Sequence, residues 1–596
     1  MYTDYEIRQM PLSVGRYRRL VEEFLAKNHL RMATDMDYYA AVFRRDDDEI
    51  LAGGGLAGNV IKCIAVGEDM REEGFSSRLI SHLVSQAVSF GHNSVKVFTK
   101  PENKQIFESM AFVTLAASEK AILMENGQQG LSVYVKYLQQ IYKETISDNN
   151  SVCGVIVMNA NPFTLGHRYL IEQAAKQVDC LFIIAVKEDV SDFSYSERLR
   201  MITDGCSDIS NVSVCKGSDY QISQSTFPTY FLKKLDDATD THISLDLQLF
   251  CQHIAPALNA TIRFVGTEPT DRLTRRYNEL MKKQLPEHGI EVKEINRLTT
   301  DMTVSASLVR KHIEENKLHK ASKYVPSTTL PFLVSHLAVN ALYAELGATP
   351  KPGLVDRHDN GAHHDMDYEV MKRSIEALRP SFTQLAIAGF CGSRPSTDEI
   401  RTIGIEAEKA MLVATRGVNT HKGALFAMGL TIVAASHLLY ILGSQKITAA
   451  ELQHEIKQLA ASFPSAEGTH GANVSLKHPK VVGALAIAKG GYSQLFECWL
   501  PYFRLNKEDN DIALRTLLLI MSQIDDTNIY HRRGEIIAEQ VKKKAKEIFD
   551  NFSTEALGEM NRHFISENIS PGGAADMLAL TIFIDAITTS EESRNT

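Results

Sequence analysis

The sequence lacks several features that would place it in a specialised class of protein. Its 64 Lys and Arg residues are outnumbered by 73 Asp and Glu residues, and the net charge of −9 argues against a nucleic-acid-binding or membrane-surface protein. The cysteines form no C-x-x-C pair and several lie in apolar runs, which is typical of reduced, buried thiols in a cytosolic protein. The first residues show no charged-then-apolar secretion signal. These absences predict a cytoplasmic protein with neither a nucleic-acid nor a membrane partner.

One apolar stretch, residues 424–442, approaches the length of a membrane span. It contains the polar residues Thr431, Ser436 and His437, which are unusual in a membrane span. The sequence therefore favours a buried helix over a span.

With 596 residues the chain is too long for one hydrophobic core, and three segments differ in their periodicity. Residues 1–145 combine apolar strands with helices, including a predicted helix over Glu6–Lys27. Residues 146–331 alternate strands and helices, and residues 332–596 show helical patterns throughout. The predicted fold is an α+β domain, then an α/β domain with a parallel doubly wound sheet, then an all-α domain.

The second segment opens on a strand, turn, helix and strand between Cys153 and Val186. Its turn, Asn159 to Gly166, lies at the carboxyl end of the first strand, where open α/β sheets bind ligands. The free N–H groups at the start of the following helix suit a phosphate. The run Thr164-Leu-Gly-His167 adds a hydroxyl, a small residue and an imidazole that can donate to a phosphoryl oxygen. The turn is therefore a candidate phosphate site.

Three further stretches in this segment carry residues suited to a nucleotide. Ser196-Glu-Arg198 has the pattern of a capped helix start, whose arginine could point back at the phosphates. Gly266 and Thr267 end a strand at the ligand edge. At the start of the last helix, Ser305 or Ser307 can act as the cap, and Arg310 with Lys311 can neutralise phosphates.

These stretches resemble the two motifs of the nucleotidyltransferase superfamily, with Thr164 standing where many members have a histidine. The resemblance implies ATP binding and makes His167 and Arg310 catalytic candidates. The implied nucleotide-binding residues are Asn159, Phe163, Thr164, Gly166, His167, Arg198, Gly266, Thr267, Ser305, Ser307 and Arg310.

In the first segment, the strand Ile61–Val66 leads into Arg71-Glu-Glu-Gly74-Phe-Ser76 and then a helix. A helix N-terminus after a strand again offers N–H groups to an anion, here a pyrophosphate. The loop is similar to the acyl-CoA-binding loop of the GNAT N-acetyltransferases, from which Ser76 departs at the last position. The resemblance implies that Arg71, Gly74 and Ser76 hold a CoA-like group. A scaffold without chemistry of its own, or a module that only docks a carrier protein, remains open because no catalytic base is evident.

Taken in order, residues 1–331 resemble the [citrate (pro-3S)-lyase] ligases, including Ser244-Leu-Asp-Leu247 and Val325-Pro-Ser-Thr-Thr-Leu330. The resemblance implies that acetate attacks the α-phosphorus of ATP to give acetyl-adenylate and pyrophosphate, with Mg²⁺ on the phosphates. The prosthetic-group thiol of the acyl carrier protein of citrate lyase then takes the acetyl group and releases AMP. Citrate lyase is therefore the expected partner.

In the third segment, polar residues concentrate in five loops between predicted helices. Carboxylates beside cations and helix N-termini suit Mg²⁺ bridging a polyphosphate. The loops span residues 349–367, 415–424, 467–473, 525–533 and 570–576.

The five loops resemble those of triphosphoribosyl-dephospho-CoA synthase. That family condenses ATP with 3′-dephospho-CoA, releases adenine and makes the precursor of the citrate lyase prosthetic group. The resemblance suggests that His421 or His470 serves the departing adenine or the incoming hydroxyl, with Asp526 as a further catalytic candidate. The expected Mg²⁺ ligands are Asp356, Asp365, Asp525 and Asp526, and the expected triphosphate ligands are Lys351, Asn419, Thr420, Lys422 and Arg532.

One alternative makes the middle segment a coenzyme-assembly adenylyltransferase and the last an HD-type metal phosphohydrolase built on His363-His364-Asp365. That fold needs a further His and Asp, for which His336 and Asp525 are available. The HD-type alternative gives the polar loop Asn419–Lys422 no function. The C-terminal family also serves malonate decarboxylase, but the ligase segment favours citrate lyase.

Overall fold

The computed structural model describes residues 5–44, 49–70, 73–127, 129–146, 148, 150–187, 191–221, 235–269, 271–298, 303–443, 446–464 and 481–589. The chain divides into two compact units. The first comprises Met1–Asn161 with Gly166–Thr303, and the second comprises Pro162–Leu165 with Val304–Thr596. The three-domain division at residues 145 and 331 stays a prediction.

The first unit contains a seven-stranded sheet in the order β1-β2-β3-β4-β5-β7-β6. All its neighbouring strands are antiparallel except β4 and β5. The strands are β1 (Tyr5–Gln9), β2 (Tyr38–Arg44), β3 (Ile50–Ala57), β4 (Val60–Val66), β5 (Val95–Thr99), β6 (Val113–Ala117) and β7 (Ile122–Asn126).

The prediction of one helix over Glu6–Lys27 is wrong in its first third. Residues 5–9 form β1 and pair with β2, and the helix begins only at Gly15. Pro11 lacks the N–H that a continuous helix would need, while alternate residues Tyr5 and Ile7 pack against the sheet.

A second sheet in the same unit has five strands in the order β10-β9-β8-β11-β12, and every neighbouring pair is parallel. The strands are β8 (Cys153–Met158), β9 (Cys180–Ala185), β10 (Val212–Cys215), β11 (Ala260–Gly266) and β12 (Glu291–Ile295). Because β9 is buried along its whole length, it shows the continuous apolar run expected of a strand covered on both faces. The predicted parallel sheet is confirmed.

The helices of the first unit pack against these sheets, and one of them passes through a π-helical turn at Phe250–Ile254. The sequence pattern also predicts a helix over residues 226–235, which lies largely outside the described residues. The helices are Gly15–Lys27, Phe75–Ser89, Lys104–Glu108, Leu131–Thr145, Leu165–Ala175, Tyr195–Gly205, Leu235–Leu249, Ala255–Ala257 and Arg272–Gln284.

The second unit is built from helices, as predicted, with a π-helical turn at Leu495–Trp499. The helix Tyr368–Gly389 was not predicted, because Pro380 inside it signals a helix end in the sequence. The helices are Ala306–Glu314, Leu318–Ala321, Leu330–Gly347, Tyr368–Gly389, Thr397–Ala414, Lys422–Ile441, Ala449–Ala461, Ala484–Lys489, Leu500–Leu505, Ile512–Gln523, Thr527–Arg533, Glu535–Asp550, Thr554–Ser566 and Gly572–Ile587.

Lys422–Ile441, hereafter the central helix, is the apolar segment noted in the sequence. Among the described residues it is the one helix that is both long enough and apolar enough to cross a membrane. However, 83% of its apolar stretch is buried inside the protein. Its Thr431 hydroxyl donates to the carbonyl of Ala427. Gly389 lets a neighbouring helix approach the backbone of Val433, where a Cβ would stand 2.6 Å from the carbonyl oxygen. The central helix is therefore the core of the second unit.

Candidate active sites

The loop after β8 in the first unit is fixed by a buried arginine. The Arg198 guanidinium is fully buried and donates to the carbonyls of Asn159 (2.8 Å), Val186 (2.9 Å) and Phe193 (3.1 Å), and to Oδ1 of Asn159 (2.6 Å). Its helix is capped by Ser194, two residues before the serine in the predicted pattern. Arg198 therefore shapes the loop after β8, and its expected role at the phosphates stays a prediction.

His167 lies in the first turn of the helix Leu165–Ala175, at the carboxyl edge of the parallel sheet. Burial of its imidazole, and then the positive charge of Arg297, lower its pKa to about 4. The ring is therefore neutral at physiological pH and carries one N–H, which can donate to a phosphoryl oxygen without adding charge.

Arg297 was missed by the sequence analysis. It follows β12, whose neighbour β11 ends at Gly266, and its Nε donates to the Thr267 carbonyl at 2.7 Å. Its Nη2 pairs with the carboxylate of Glu268. No described atom lies within 4 Å of where a Cβ on Gly266 would stand, so space is open at this strand end. The first unit thus brings the predicted Gly266 and Thr267 together with an unpredicted cation.

The remaining predicted nucleotide-binding residues belong to the second unit. Phe163 and Thr164 are buried, and the Thr329 hydroxyl donates to the Phe163 carbonyl at 3.2 Å. Ser305 caps the helix Ala306–Glu314 by accepting from the N–H of Leu308 at 3.1 Å. On the same helix, Arg310 Nη2 lies 3.3 Å from the Ser307 hydroxyl, to which it donates.

In the first sheet, β4 and β5 pair only at Val60 with Lys96 and at Ile61 with Val97, although both strands continue beyond these pairs. The helix Phe75–Ser89 begins next to this opening, with Gly74 in the left-handed region (φ 73°) and Ser76 in the first turn. Of the three predicted CoA-loop residues, Arg71 lies outside the described part of the chain.

The second unit contains a pocket of about 150 Å³ at the N-terminus of the central helix. It brings together His421 and all five predicted triphosphate ligands, Lys351, Asn419, Thr420, Lys422 and Arg532. It also includes polar residues to which the resemblance to triphosphoribosyl-dephospho-CoA synthase assigned no role, namely Glu345, His363, Asn528, Ser570 and Asp576.

His421 is buried in this pocket with one nitrogen engaged. Its Nδ1 lies 2.7 Å from the Ser374 hydroxyl, which lies 2.6 Å from the Thr420 hydroxyl. Nε2 has no hydrogen-bond partner among the described residues. Burial, and then the charge of Lys351, lower the pKa of His421 to about 4, so the imidazole is neutral.

The cationic side chains of the pocket differ in the groups that they contact. Lys351 is buried and paired with the carboxylate of Glu345, which neutralises its charge. Lys422 is exposed and lies 2.6 Å from Glu408 at the surface, a contact that a polyphosphate can replace at little cost. Arg532 lines the pocket with His363, whose Nε2 is 2.8 Å from the Ser570 hydroxyl.

The four predicted Mg²⁺ ligands do not form a ligand set. Among the described residues no group of three or more His, Cys, Asp or Glu side chains could hold a metal, which also removes support for the HD-type site. Asp356 accepts from the Thr349 hydroxyl and from the N–H groups of Lys351, His358 and Asp359.

The other three aspartates have separate environments. Asp525 pairs with Lys542, and Asp365 is exposed 4.0 Å from His363. Asp526 accepts from the N–H groups of Asn528 (2.9 Å) and Ala574 (3.1 Å). Each carboxylate is thus held by the protein itself or faces solvent. His470 and the loop around it lie outside the described residues.

Comparison with known proteins matches two successive parts of the chain to two different families. Residues 153–333 match the family described as citrate lyase ligase C-terminal domain, and residues 331–595 match ATP:dephospho-CoA triphosphoribosyl transferase. The [citrate [pro-3S]-lyase] ligase of Haemophilus influenzae is 41% identical over 321 residues, which are 53% of this chain and 94% of that protein.

A second relative covers the other part of the chain. The 2-(5″-triphosphoribosyl)-3′-dephosphocoenzyme-A synthase of Pectobacterium atrosepticum is 35% identical over 264 residues, 42% of this chain and 87% of that protein. Among solved structures, pantoate-beta-alanine ligase from Francisella tularensis covers 31% of this chain and 76% of its own, at 12% identity. Its TM-score of 0.22 carries no weight for the fold.

Proposed function

Because the chain belongs to the citrate lyase ligase family in its N-terminal part and to the ATP:dephospho-CoA triphosphoribosyl transferase family in its C-terminal part, we propose that one polypeptide carries both activities. The first activates citrate lyase and the second makes the precursor of its prosthetic group. The two activities meet on the same partner, the acyl carrier protein of citrate lyase, in the cytoplasm. The alternative of an adenylyltransferase fused to an HD-type phosphohydrolase is not favoured by either match.

For the ligase we propose that acetate attacks the α-phosphorus of ATP, releasing pyrophosphate, and that the carrier thiol then displaces AMP from acetyl-adenylate. Such in-line attack needs charge stabilisation and positioning more than covalent help. The neutral His167 supports this role, because its N–H can donate to a phosphoryl oxygen as charge develops. Arg297 adds a positive charge at the same sheet edge, and the role of Arg310 stays a prediction.

For the transferase we propose attack of a ribose hydroxyl of 3′-dephospho-CoA on C1′ of ATP, with adenine as the leaving group. The observation that carries it is the pocket at the central helix, where five predicted triphosphate ligands lie beside a buried neutral His421. Since the described carboxylates form no set of metal ligands, Mg²⁺ enters this proposal as part of the Mg–ATP substrate.

A direct assay tests both proposals on the purified chain. With Mg–ATP and dephospho-CoA it is expected to release adenine, and with Mg–ATP, acetate and deacetylated citrate lyase it is expected to release AMP and restore lyase activity. A malonate decarboxylase carrier protein in place of that of citrate lyase tests partner choice. Absence of both products would remove the bifunctional assignment.

For the first sheet we propose a GNAT-like fold that holds the carrier's prosthetic group. The opening between β4 and β5 beside the helix Phe75–Ser89 supports it, since that helix N-terminus offers N–H groups to a phosphate.

The change Ser76→Asp is expected to raise the KM for carrier protein about tenfold, because a carboxylate in the first helical turn repels a phosphate there. The KM for ATP should not change. The matched control is Ser81→Asp, an exposed position farther along the same helix, which should leave both constants unaltered. Equal KM values for carrier protein in the two variants would contradict the proposal.

A further inference from the structure

Asp576 occupies the first turns of the last helix, Gly572–Ile587, and lines the pocket at the N-terminus of the central helix. Its carboxyl accepts a hydrogen bond from the N–H of Ala424. The side chain lies against Gly423, where a Cβ would stand 2.0 Å from Asp576 Oδ2. The carboxyl therefore packs against the start of the central helix and lines the same pocket as His421.

Two acidic neighbours surround this carboxyl from different elements. Asp526 precedes the helix Thr527–Arg533, and Glu345 lies in the helix Leu330–Gly347. Burial, followed by the charges of Asp526 and Glu345, raises the pKa of Asp576 well above its ordinary value. Of the cations that line the pocket, Lys351 is already paired with Glu345. The surroundings of Asp576 therefore favour its protonated, uncharged form over the carboxylate.

Tyr492 is a further polar residue near Asp576, although it does not line the pocket itself. Its hydroxyl is buried without a hydrogen-bond partner among the described residues, and burial, followed by the nearby carboxyl of Asp576, raises its pKa. With Nε2 of His421, the region around Asp576 thus contains two buried polar atoms that the described protein leaves unsatisfied. Unsatisfied buried groups are costly unless a ligand engages them.

We propose that Asp576 donates a proton to a ring nitrogen of the departing adenine, while Nε2 of His421 accepts the proton of the attacking ribose hydroxyl. The inference deepens the transferase proposed above and rests on it. As the bond from the hydroxyl oxygen to C1′ forms, the bond from C1′ to the purine nitrogen breaks and its electron pair stays on the base. The imidazolium then returns a proton to the Asp576 carboxylate, so the net transfer is one proton from the hydroxyl to adenine.

The division of roles follows from the two environments. The same pocket favours the protonated form of one carboxyl and the unprotonated form of one imidazole, which is the pairing that a general acid and a general base require. Burial raises the pKa of Asp526 as well, but Asp526 does not line this pocket and its oxygens accept from the N–H groups of Asn528 and Ala574, so it is unsuited to the acid role.

The test compares leaving groups that differ in their need for a proton. In 7-methyl-ATP the purine is a cation and departs as neutral 7-methyladenine without protonation. Asp576→Asn is expected to slow adenine release from ATP about 100- to 10,000-fold, which is the usual contribution of a general acid to the rate. Release of 7-methyladenine should fall less than about tenfold. Equal losses with both nucleotides would assign Asp576 a structural or binding role and overturn the inference.

Chemical rescue provides the second measurement. In Asp576→Ala the space against Gly423 is vacated, and added formate should restore adenine release in proportion to its concentration, more strongly at lower pH because formic acid is the donor. Absence of rescue would contradict the inference. Ligase activity of the same variants reports folding of the chain.

Asp585→Asn is the matched control, since Asp585 is a buried aspartate on the same helix that pairs with Arg504 and Lys507. Its variant should affect both nucleotides equally. If the unmodified chain released no adenine from ATP and dephospho-CoA, the proposed transferase itself would fail, whereas equal losses on a working transferase would refute only the role of Asp576.

Discussion

Replacing His167 with Ala is expected to lower ligase activity about 100- to 1,000-fold, the usual cost of losing one oriented donor to a developing negative charge. Because the imidazole is neutral, its contribution is one N–H, and His167→Asn should recover part of the rate by supplying an amide N–H. The measurement is AMP release with acetate and deacetylated citrate lyase. Adenine release with dephospho-CoA should be unchanged in both variants.

The protonation state of His167 gives this prediction a pH signature. An ordinary histidine titrates near 6.5, but burial and Arg297 move the pKa of His167 to about 4. The donor therefore stays neutral as pH falls through the ordinary range, and ligase activity should show no loss from this group until pH approaches about 4. His288→Ala, an exposed histidine of the same unit, is the control and should match the unmodified chain. An acid limb near 6.5 that disappears in His167→Asn would contradict the neutral-donor role.

The second large effect is expected from a single added methyl group. Gly423→Ala places a Cβ 2.0 Å from Asp576 Oδ2, so either the carboxyl or the start of the central helix must move. We expect adenine release to fall at least about 100-fold, because misplacing a reacting group by an ångström costs that much. Ligase activity should persist.

A helical glycine elsewhere in the second unit provides the comparison. Gly404 lies in the helix Thr397–Ala414, and a Cβ there meets nothing within 4 Å. Gly404→Ala should leave both activities intact and slightly stabilise its helix, since alanine is the better helix former. If Gly423→Ala released adenine as fast as Gly404→Ala, the packing of Asp576 against the central helix would have no part in the reaction.

The periodicity of the sequence predicted the elements that hold both sites. The buried runs of β8 and β9 and the apolar central helix are found where their patterns place them. The N-terminal strand β1 was missed because a short amphipathic segment before Pro11 can satisfy either period. A local sequence pattern is enough to predict an element that is buried on every side.

Residues that depend on contacts between distant segments could not be assigned in the same way. Arg297 lies in no motif, and it comes to lie beside Thr267 and Glu268 only because β12 pairs with β11. Arg198 lies in a recognised stretch, but its carbonyl partners come from the ends of two strands and a loop. A sequence motif indicates that an arginine is needed without indicating which atoms it binds.

The aspartates of the second unit show the same limit for chemistry. The loops were identified as polar and acidic, which predicted metal ligands. In the structure Asp356 and Asp526 bind N–H groups of the backbone instead, which a short polar loop requires to satisfy its own donors. Asp576 lies in one of those loops, and only its proximity to Asp526 and Glu345 distinguishes it from a simple helix-start aspartate.

The central claim, that one chain performs both reactions on ATP, is tested most directly with ATP labelled in its purine ring. Incubated with Mg²⁺ and dephospho-CoA, the purified chain should convert the label to free adenine. Incubated instead with acetate and deacetylated citrate lyase, it should convert the label to AMP. His167→Ala should remove only the AMP, and Gly423→Ala only the adenine. Loss of both products in either variant, or absence of one product from the unmodified chain, would contradict two independent activities in one polypeptide.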